Sequence, residues 1–369
     1  MKRIVLTVLV VLMATGLVFA SGTGEAAGGI DVGIAMPETH VERWQQDGAA
    51  LLEGSQALGY RAEVAYGDAD QGRQNQQIQD FITKGAKVLI IGNINEGVNS
   101  VVREAAEEGI IVVAYDRLIT GSDAYDYYIT FDNFKVGEFQ GAAIVEALDL
   151  ANVKPSNPKY ITLFAGSPTD NNANFFFDGA MSMLRPHVER GALKIVGPAP
   201  LRSSDSAFTR IATENWRPEI AKARAENLLS NDARDVTLDA VLAPNDTLAR
   251  AIIEALSADA KYDTTAKLPV VTGQDAEIAS VQAIRDGRQY MTVFKDTRDL
   301  AAGAVALADA LLKGKATPQI RGARLDTETY DTGLKVVNSY LLEPINVTQK
   351  NYKEVMIGSG YYTEAQLNQ

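Results

Sequence analysis

The sequence predicts an α/β fold made of two doubly wound halves, each a parallel sheet covered by helices on both faces. Three observations carry this. Short apolar runs that read as strands buried on both faces alternate with helical patterns of about 10 to 15 residues along most of the chain. The break Pro155-Ser156-Asn157-Pro158 interrupts the alternation, which then restarts. Residues 88–117 read strand, Asn-bearing tip, helix, strand, Asp-bearing tip, and residues 241–275 repeat that order with Asn245-Asp246 and Asp275 in the matching places.

The first half opens with Asp31-Val32-Gly33-Ile34-Ala35-Met36, a strand stopped by Pro37. Arg43-Trp44 leads into a helix with apolar positions at Ala49, Leu51, Leu52 and Leu58, closed by Gly59. Residues 62–66 form a strand and 74–83 a helix with Ile78, Phe81 and Ile82 on one side. Residues 88–91 are the next strand, with Asn93 and Asn95 in the loop after it, then a helix over 98–108 ended by Gly109. The apolar run from Ile110 stops abruptly at Asp116 and Arg117, and the strand at 127–131 ends in Asp132-Asn133.

A helix over 136–150 precedes the Pro-rich break. Strand 160–164, a polar loop, helix 175–187 and strand 194–196 begin the second half. A loop with Ser203, Ser204 and Asp205 precedes helix 218–229, and strand 240–243 ends in Pro244-Asn245-Asp246. Helix 248–257 leads to strand 269–271, which ends in Gly273-Gln274-Asp275. Helix 278–286 and strand 290–294 finish at Lys295-Asp296. The helix over 300–312 has no adjacent strand of its own, and a strand at about 335–340 comes late. The chain therefore crosses between halves more than once, near Asp132, near Lys295 and in the region 331–334.

Composition narrows the function classes. Met1-Lys2-Arg3, the apolar run that follows and Val18-Phe19-Ala20 form a basic, then apolar, then small-residue pattern, so residues 1–20 read as a cleaved export signal. The chain has no Cys, which excludes a disulfide framework and a lipid anchor attached through Cys. A net charge of −12 argues against a nucleic-acid partner. With two His and no Cys, zinc or copper has few ligands, and no metal or cofactor is expected. Asp68-Ala69-Asp70-Gln71-Gly72 begins like a calcium loop but lacks the closing Glu, so it reads as a solvated turn.

In open α/β sheets, ligands bind outside the carboxyl ends of the strands. The groups at those ends are Arg43, Trp44, Asp116 and Arg117 in the first half, and Asp170, Asn171, Asn172, Asn245, Asp246, Asp275 and Lys295 in the second, with Trp216 in a nearby loop. Carboxylates, amides and guanidiniums fix several hydroxyls through forked donor and acceptor pairs. The chain's two tryptophans lie beside them. A pyranose has a polar rim and apolar faces, so an indole on each face within such a rim is complementary to it.

The strings Glu42-Arg43-Trp44-Gln45, Ala114-Tyr115-Asp116-Arg117, Phe131-Asp132-Asn133, Gly166-Ser167-Pro168-Thr169-Asp170-Asn171-Asn172-Ala173, Pro244-Asn245-Asp246 and Gly273-Gln274-Asp275-Ala276 resemble the periplasmic aldose-binding receptors of ABC importers, in particular the D-xylose-binding and multiple-sugar-binding proteins. The likeness runs from about Asp31 to Tyr361-Tyr362. It implies a type I periplasmic binding protein: two Rossmann-like α/β domains, a three-segment hinge and a monosaccharide in the cleft. By matching strings, Arg43, Asp116 and Arg117 bind sugar hydroxyls from one domain, Asp170, Asn172, Asn245 and Asp275 from the other, with Lys295 at the hinge and Trp44 and Trp216 against the ring. Residues 202–210 depart from the xylose receptors, which favours a receptor accepting several aldoses.

On this reading residues 1–20 are the signal and 21–30 a flexible linker. Residues 31–132 plus 296–331 form the first domain, and 133–295 plus 332–369 the second. The expected protein is a periplasmic monomer whose partners are a monosaccharide, an ABC importer permease and, as a further class, a chemotaxis or sensor receptor. Other readings are a receptor for an amino acid, with Arg117 on its carboxylate, and a glycosidase using Asp116 and Asp275. A dinucleotide enzyme is weaker still, because Pro37-Glu38-Thr39 stands where a Gly-rich turn is needed, and a sugar-responsive repressor would need a helix-turn-helix where the export signal is read.

Overall fold

The computed structural model describes residues 29–369. The expected export signal, 1–20, and all but the end of the expected linker, 21–30, lie outside them. The first half begins with β1 (Val32–Met36), α1 (Arg43–Ala57), β2 (Ala62–Tyr66), α2 (Gln71–Thr83), β3 (Val88–Ile91), α3 (Asn99–Glu107), β4 (Ile111–Tyr115) and β5 (Tyr127–Phe131). These strands are parallel in the order β2-β1-β3-β4-β5. Met36 lies opposite Tyr66, Ala35 opposite Ile91 and Ile91 opposite Ala114, so the carboxyl ends finish level at one edge.

The second half contains α4 (Asn133–Ala147), β6 (Lys159–Leu163), α5 (Asn172–Glu189), β7 (Leu193–Ile195), α6 (Pro218–Ser230), β8 (Ala240–Leu242), α7 (Asp246–Ser257), β9 (Val270–Val271), α8 (Ile278–Arg285) and β10 (Met291–Phe294). Strands β7-β6-β8-β9 form a parallel sheet. The chain then returns through α9 (Thr297–Leu312), β11 (Ala323–Asp326) and β12 (Asn338–Leu342), and ends beyond β13 (Ile345–Thr348), which pairs antiparallel with β10. Among the described residues no helix is long and apolar enough to cross a membrane.

Two expectations change here. Strands β11 and β13 have no counterpart in the sequence reading, because Ala-Arg-Leu-Asp and Ile-Asn-Val-Thr alternate instead of running apolar. More consequentially, β12 runs parallel to β5 in the first sheet, and β11 closes that sheet's edge antiparallel to β12. The third passage between halves is therefore Glu343-Pro344, between β12 and β13, and not the region 331–334. Residues 338–342 belong with the first sheet, whereas the expected boundary assigned them to the second. Helix α9 finds its place beside α1, where Gly54 lets Val305 approach and Tyr60 Oη donates to Asp309 at 2.8 Å.

The first two passages are built alike. Asp132 follows β5 and its carboxylate accepts the Lys135 amide at 3.1 Å to cap α4; Asp296 follows β10 and accepts the Arg298 amide at 3.0 Å to cap α9. Helix α4 lies so close on α5 that a Cβ on Gly137 would stand 2.0 Å from the Phe176 carbonyl oxygen, and one on Gly179 2.1 Å from that of Phe134. That close approach fixes the N-terminus of α5 against the end of β5. The turn at 68–72, read from sequence as solvated, is a helix start: Asp68 and Ala69 adopt positive φ and Asp70 caps α2.

Candidate functional site

All ten sequence-predicted residues, Arg43, Trp44, Asp116, Arg117, Asp170, Asn172, Trp216, Asn245, Asp275 and Lys295, line one cavity of about 300 Å³ between the two halves. Val41, Phe176 and Gln274 complete its wall. Asp116 and Asp275 occupy equivalent turns. Each follows a parallel strand, each donates its amide to the next strand (Ile129 O and Val293 O, both 2.8 Å), and each has a positive φ, 59° and 95°. Asp and Asn are among the few residues with a side chain that enter this region readily.

Two guanidiniums from the first half span the cavity. Arg43 Nε donates to Asp47 at 2.9 Å; its Nη1 lies 2.8 Å from Asp116 and 3.6 Å from Asp275 of the other half. Arg117 is held by Glu38 at 2.6 Å and the Asn93 carbonyl at 3.2 Å, and its Nε lies 3.0 Å from Asp170 across the cleft. Lys295 Nζ, in the segment after β10, stands 2.9 Å from Asp275. The Trp44 ring, resting on Gly92, has both guanidinium carbons near it, at 5.1 and 5.0 Å. Trp216 rests on Gly166 in the same manner, at positive φ, and donates its Nε1–H to Asp170 at 3.1 Å.

These groups are close but not saturated. Arg43 Nη2, Arg117 Nε, Asp116 Oδ2, Asp275 Oδ1 and Gln274 Oε1 are buried with no protein partner in hydrogen-bond geometry, although three of those atoms stand in ion-pair range. Unspent buried donors and acceptors are costly, so they mark atoms arranged for something else to satisfy. Burial by itself raises the Asp116 carboxyl, but Arg43, Lys295 and Arg117 outweigh it and hold the group below the usual carboxylate range. Burial raises Asp170 despite Arg117, and pushes Asp47 up to about 6 despite Arg43 and the Tyr115 hydroxyl.

Not every predicted residue is free for a ligand. Asn172 accepts from Asn133 Nδ2 at 2.9 Å and Tyr128 Oη at 3.1 Å and donates to the Asp116 carbonyl at 2.7 Å, so its amide ties α5 to the first-half tip. Asn245 Oδ1 caps α7 through the Leu248 amide at 3.0 Å, and its Nδ2 has no protein acceptor among the described residues. Asp246, at the same tip, turns inward to Gln289, Thr292 and the Glu277 amide, and Asn171 is outside the cavity wall.

Sequence reasoning missed Glu38, Asp47, Phe176 and Gln274. Asp47 and Phe176 carried a usable signal, since each stands four residues after a predicted site residue on the same helix. Gln274 adjoins Asp275, and nothing local marks Glu38. No group of His, Cys, Asp and Glu among the described residues is arranged to hold a metal ion.

The chain is similar to known proteins along most of its length. The family model described as a periplasmic binding protein domain matches residues 32–316. The chain is 46% identical over 337 residues to the multiple sugar-binding periplasmic receptor ChvE of Rhizobium radiobacter, covering 91% of this chain and 92% of that one. It is 36% identical over 367 residues to the D-xylose-binding periplasmic protein of Escherichia coli, covering 99% of each. A solute-binding protein of an ABC transporter from Clostridium phytofermentans, solved with bound β-D-glucose, superposes with a TM-score of 0.83 at 42% identity, covering 91% of this chain and 99% of that one.

Proposed function

This chain belongs to the periplasmic binding protein domain family, with the type I fold, and we propose that it is an exported receptor that closes its two halves around a single aldose and delivers it to an ABC importer. The observation that carries the reading is the cavity of about 300 Å³ whose wall takes charged, amide and indole side chains from both halves and leaves buried hydrogen-bonding atoms unspent. We read so small a space, its open mouth included, as one for a single pyranose and not a disaccharide. Sugar stabilises the closed arrangement because only there do both halves reach it at once.

The residues divide the work. Asp116 and Asp275, each beside cations, accept from sugar hydroxyls. Arg43, Arg117, Lys295 and the Asn245 amide donate to ring and hydroxyl oxygens, while Trp44 and Trp216 meet the apolar faces. Asn172 acts one step back, by holding the Asp116 turn. The multiple-sugar names of relatives and the glucose in solved relatives favour a receptor accepting several aldoses. Export through the signal at 1–20, residence in the periplasm and a monomeric state complete the proposal, with a sensor receptor as a further partner.

An amino-acid receptor is disfavoured because Glu38 and Asp170 already balance the charge of Arg117, which leaves little attraction for a ligand carboxylate while its hydrogens can still meet neutral hydroxyls. Glycosidase chemistry needs a carboxyl kept protonated and aimed at substrate. Asp116 is held low, and both Asp170 oxygens are engaged, by Asn172 and by Trp216 with Arg117. The protein is therefore read as a binding protein without catalysis. Titration with D-glucose, D-xylose, D-galactose, L-arabinose and maltose, followed by calorimetry and tryptophan fluorescence, tests it. Saturable binding of one or more monosaccharides without maltose is expected; silence toward all four at millimolar concentration would sink the reading.

A further inference from the structure

The extended segment Phe294-Lys295-Asp296 has two faces. Lys295 points into the aldose cavity, whereas Phe294 and Asp296 line a second, larger space on the other side, a groove of about 1490 Å³ including its open mouth. All three passages between the halves border it: Phe131 ends the first, Phe294 and Asp296 the second, Leu342 and Glu343 the third. Its walls come from different halves. Asp299, Ala302, Gly303 and Ala306 of α9 and Ile320 stand on the side of the first sheet; Ile345, Glu354 and Val355 stand on the side of the second.

The chemistry of the groove is distinct from that of the aldose cavity. Its floor is apolar, and Ile345 is left 46% exposed in it. Its charged lining residues are four acids and one base, Arg321. Two of the acids are neutralised nearby, Asp296 by Arg298 at 2.6 Å and Glu343 by Lys135. Asp299 and Glu354 form no salt bridge within 4.0 Å among the described residues, although Arg298 and Arg321 act on the Asp299 carboxyl from farther off, and the two acids face the groove from opposite halves. Apolar floor and unpaired acids on two walls together complement a molecule with an apolar body and a positive end.

We infer that this hinge groove is a regulatory binding site for a small organic cation with an apolar body, such as an arylalkylamine, and that its occupation favours the closed, sugar-holding arrangement. The direction follows from leverage. In the structure the aldose cavity is closed, with Arg43 and Arg117 reaching Asp275 and Asp170. Rotation about the hinge that parts those pairs brings the groove walls together on the opposite face and narrows the space for an occupant. A ligand that fits the closed state better must raise aldose affinity, and aldose must raise the ligand's affinity by the same factor.

The inference rests on the aldose-receptor reading for one of its two readouts. Phenethylamine is the probe and 3-phenylpropionate, of similar body and opposite charge, the control. Calorimetry of phenethylamine against the sugar-free protein reads groove binding directly; aldose titrations with and without saturating amine read the coupling. The expected result is direct binding of phenethylamine, an aldose Kd lowered about fivefold, at the low end of ordinary couplings between sites, and no effect of 3-phenylpropionate. Both effects should vanish in D299N/E354Q and in the groove-filling variant A306F, at exposed positions where folding is not at risk, while the aldose Kd without amine stays unchanged in D299N/E354Q. No direct binding, an equal effect of the carboxylate, persistence of the effect in both variants, or an amine that weakens aldose binding would each overturn it. If no aldose binds at all, the receptor reading fails, and amine binding lost in the variants still decides the groove.

Discussion

Replacing Asp116 by Asn separates a ligand-binding role from a structural one at the centre of the site. The carboxylate is 5% exposed, lies 2.8 Å from Arg43 Nη1 and keeps Oδ2 outside hydrogen-bond geometry with any protein group. The turn that carries it is fixed by its backbone. Its amide donates to Ile129, and its carbonyl accepts from Tyr128 at 2.6 Å, Thr130 at 3.0 Å and Asn172 at 2.7 Å. Asn enters the positive-φ region more readily than most residues with a side chain, so Asp116→Asn, at φ 59°, removes the charge with little backbone strain. Arg43 retains Asp47 at 2.9 Å, so it is not left uncompensated. A hydrogen bond to a charged group contributes about 1.5–3 kcal/mol, so aldose Kd should rise roughly 10- to 150-fold. The sugar-free melting temperature should move by no more than about 4 °C, the shift that 1 kcal/mol produces in a domain of this size. Calorimetry with D-glucose and D-xylose, alongside thermal melting without sugar, measures both. A Kd within threefold of the parent, combined with a larger loss of stability, would return Asp116 to a purely structural ion pair.

Two further outcomes follow from the groups behind the cavity. A Cβ on Gly166 would stand 2.0 Å from Trp216 Cη2, so Gly166→Ala must displace the indole and break its bond to Asp170. We expect aldose affinity to fall about tenfold, the scale of one lost aromatic contact, with a shifted emission maximum in the sugar-free protein; unchanged emission would refute the packing argument. Aldose affinity should also depend on pH through Asp47, which Arg43, Tyr115, Asp116 and Tyr66 face. Burial raises its folded pKa to about 6, above the ordinary carboxylate value of 3.8, so the native state holds an extra proton between those values and this group's contribution to stability is lost as pH rises through that window. The ionised form is the one that anchors Arg43, so aldose binding should strengthen from pH 5 to 7 with an inflection near 6. That inflection should vanish in Asp47→Asn; a flat profile in the parent would contradict the coupling.

The parts of this molecule that sequence reveals are those dictated locally. Strands buried on both faces must be apolar runs, and a run that stops at Asp116-Arg117 or Gln274-Asp275 leaves its charges at the carboxyl end, where parallel sheets gather ligands. The groups behind the cavity follow a different logic. Glu38 matters because Arg117 reaches it across 79 positions, and Tyr115 because its hydroxyl meets Asp47 on another element. No local pattern encodes such pairings. The same holds for β11, whose Arg324 and Leu325 form a strand only because β12 pairs with it at an edge. Missing that pairing moved the expected third passage about ten residues toward the N-terminus.

The two halves match in backbone and differ in chemistry. Asp116 and Asp275 sit in equivalent left-handed turns, Asp132 and Asp296 cap equivalent passage helices, and Trp44 and Trp216 each rest on a glycine at a strand tip. Yet both cavity-spanning guanidiniums come from the first half, and the carboxylates they reach across the cleft, Asp275 and Asp170, come from the second. Equivalent frames with complementary charges let the halves close on each other as well as on a ligand. Buried ion pairs of this kind roughly break even against their desolvation, so the contacts across the cleft guide closure without fixing it. On the proposed reading, hydroxyls that satisfy the unspent atoms of Arg43, Asp116 and Asp275 then tip the balance, which is what a receptor requires if its closed state is to report an occupied cleft.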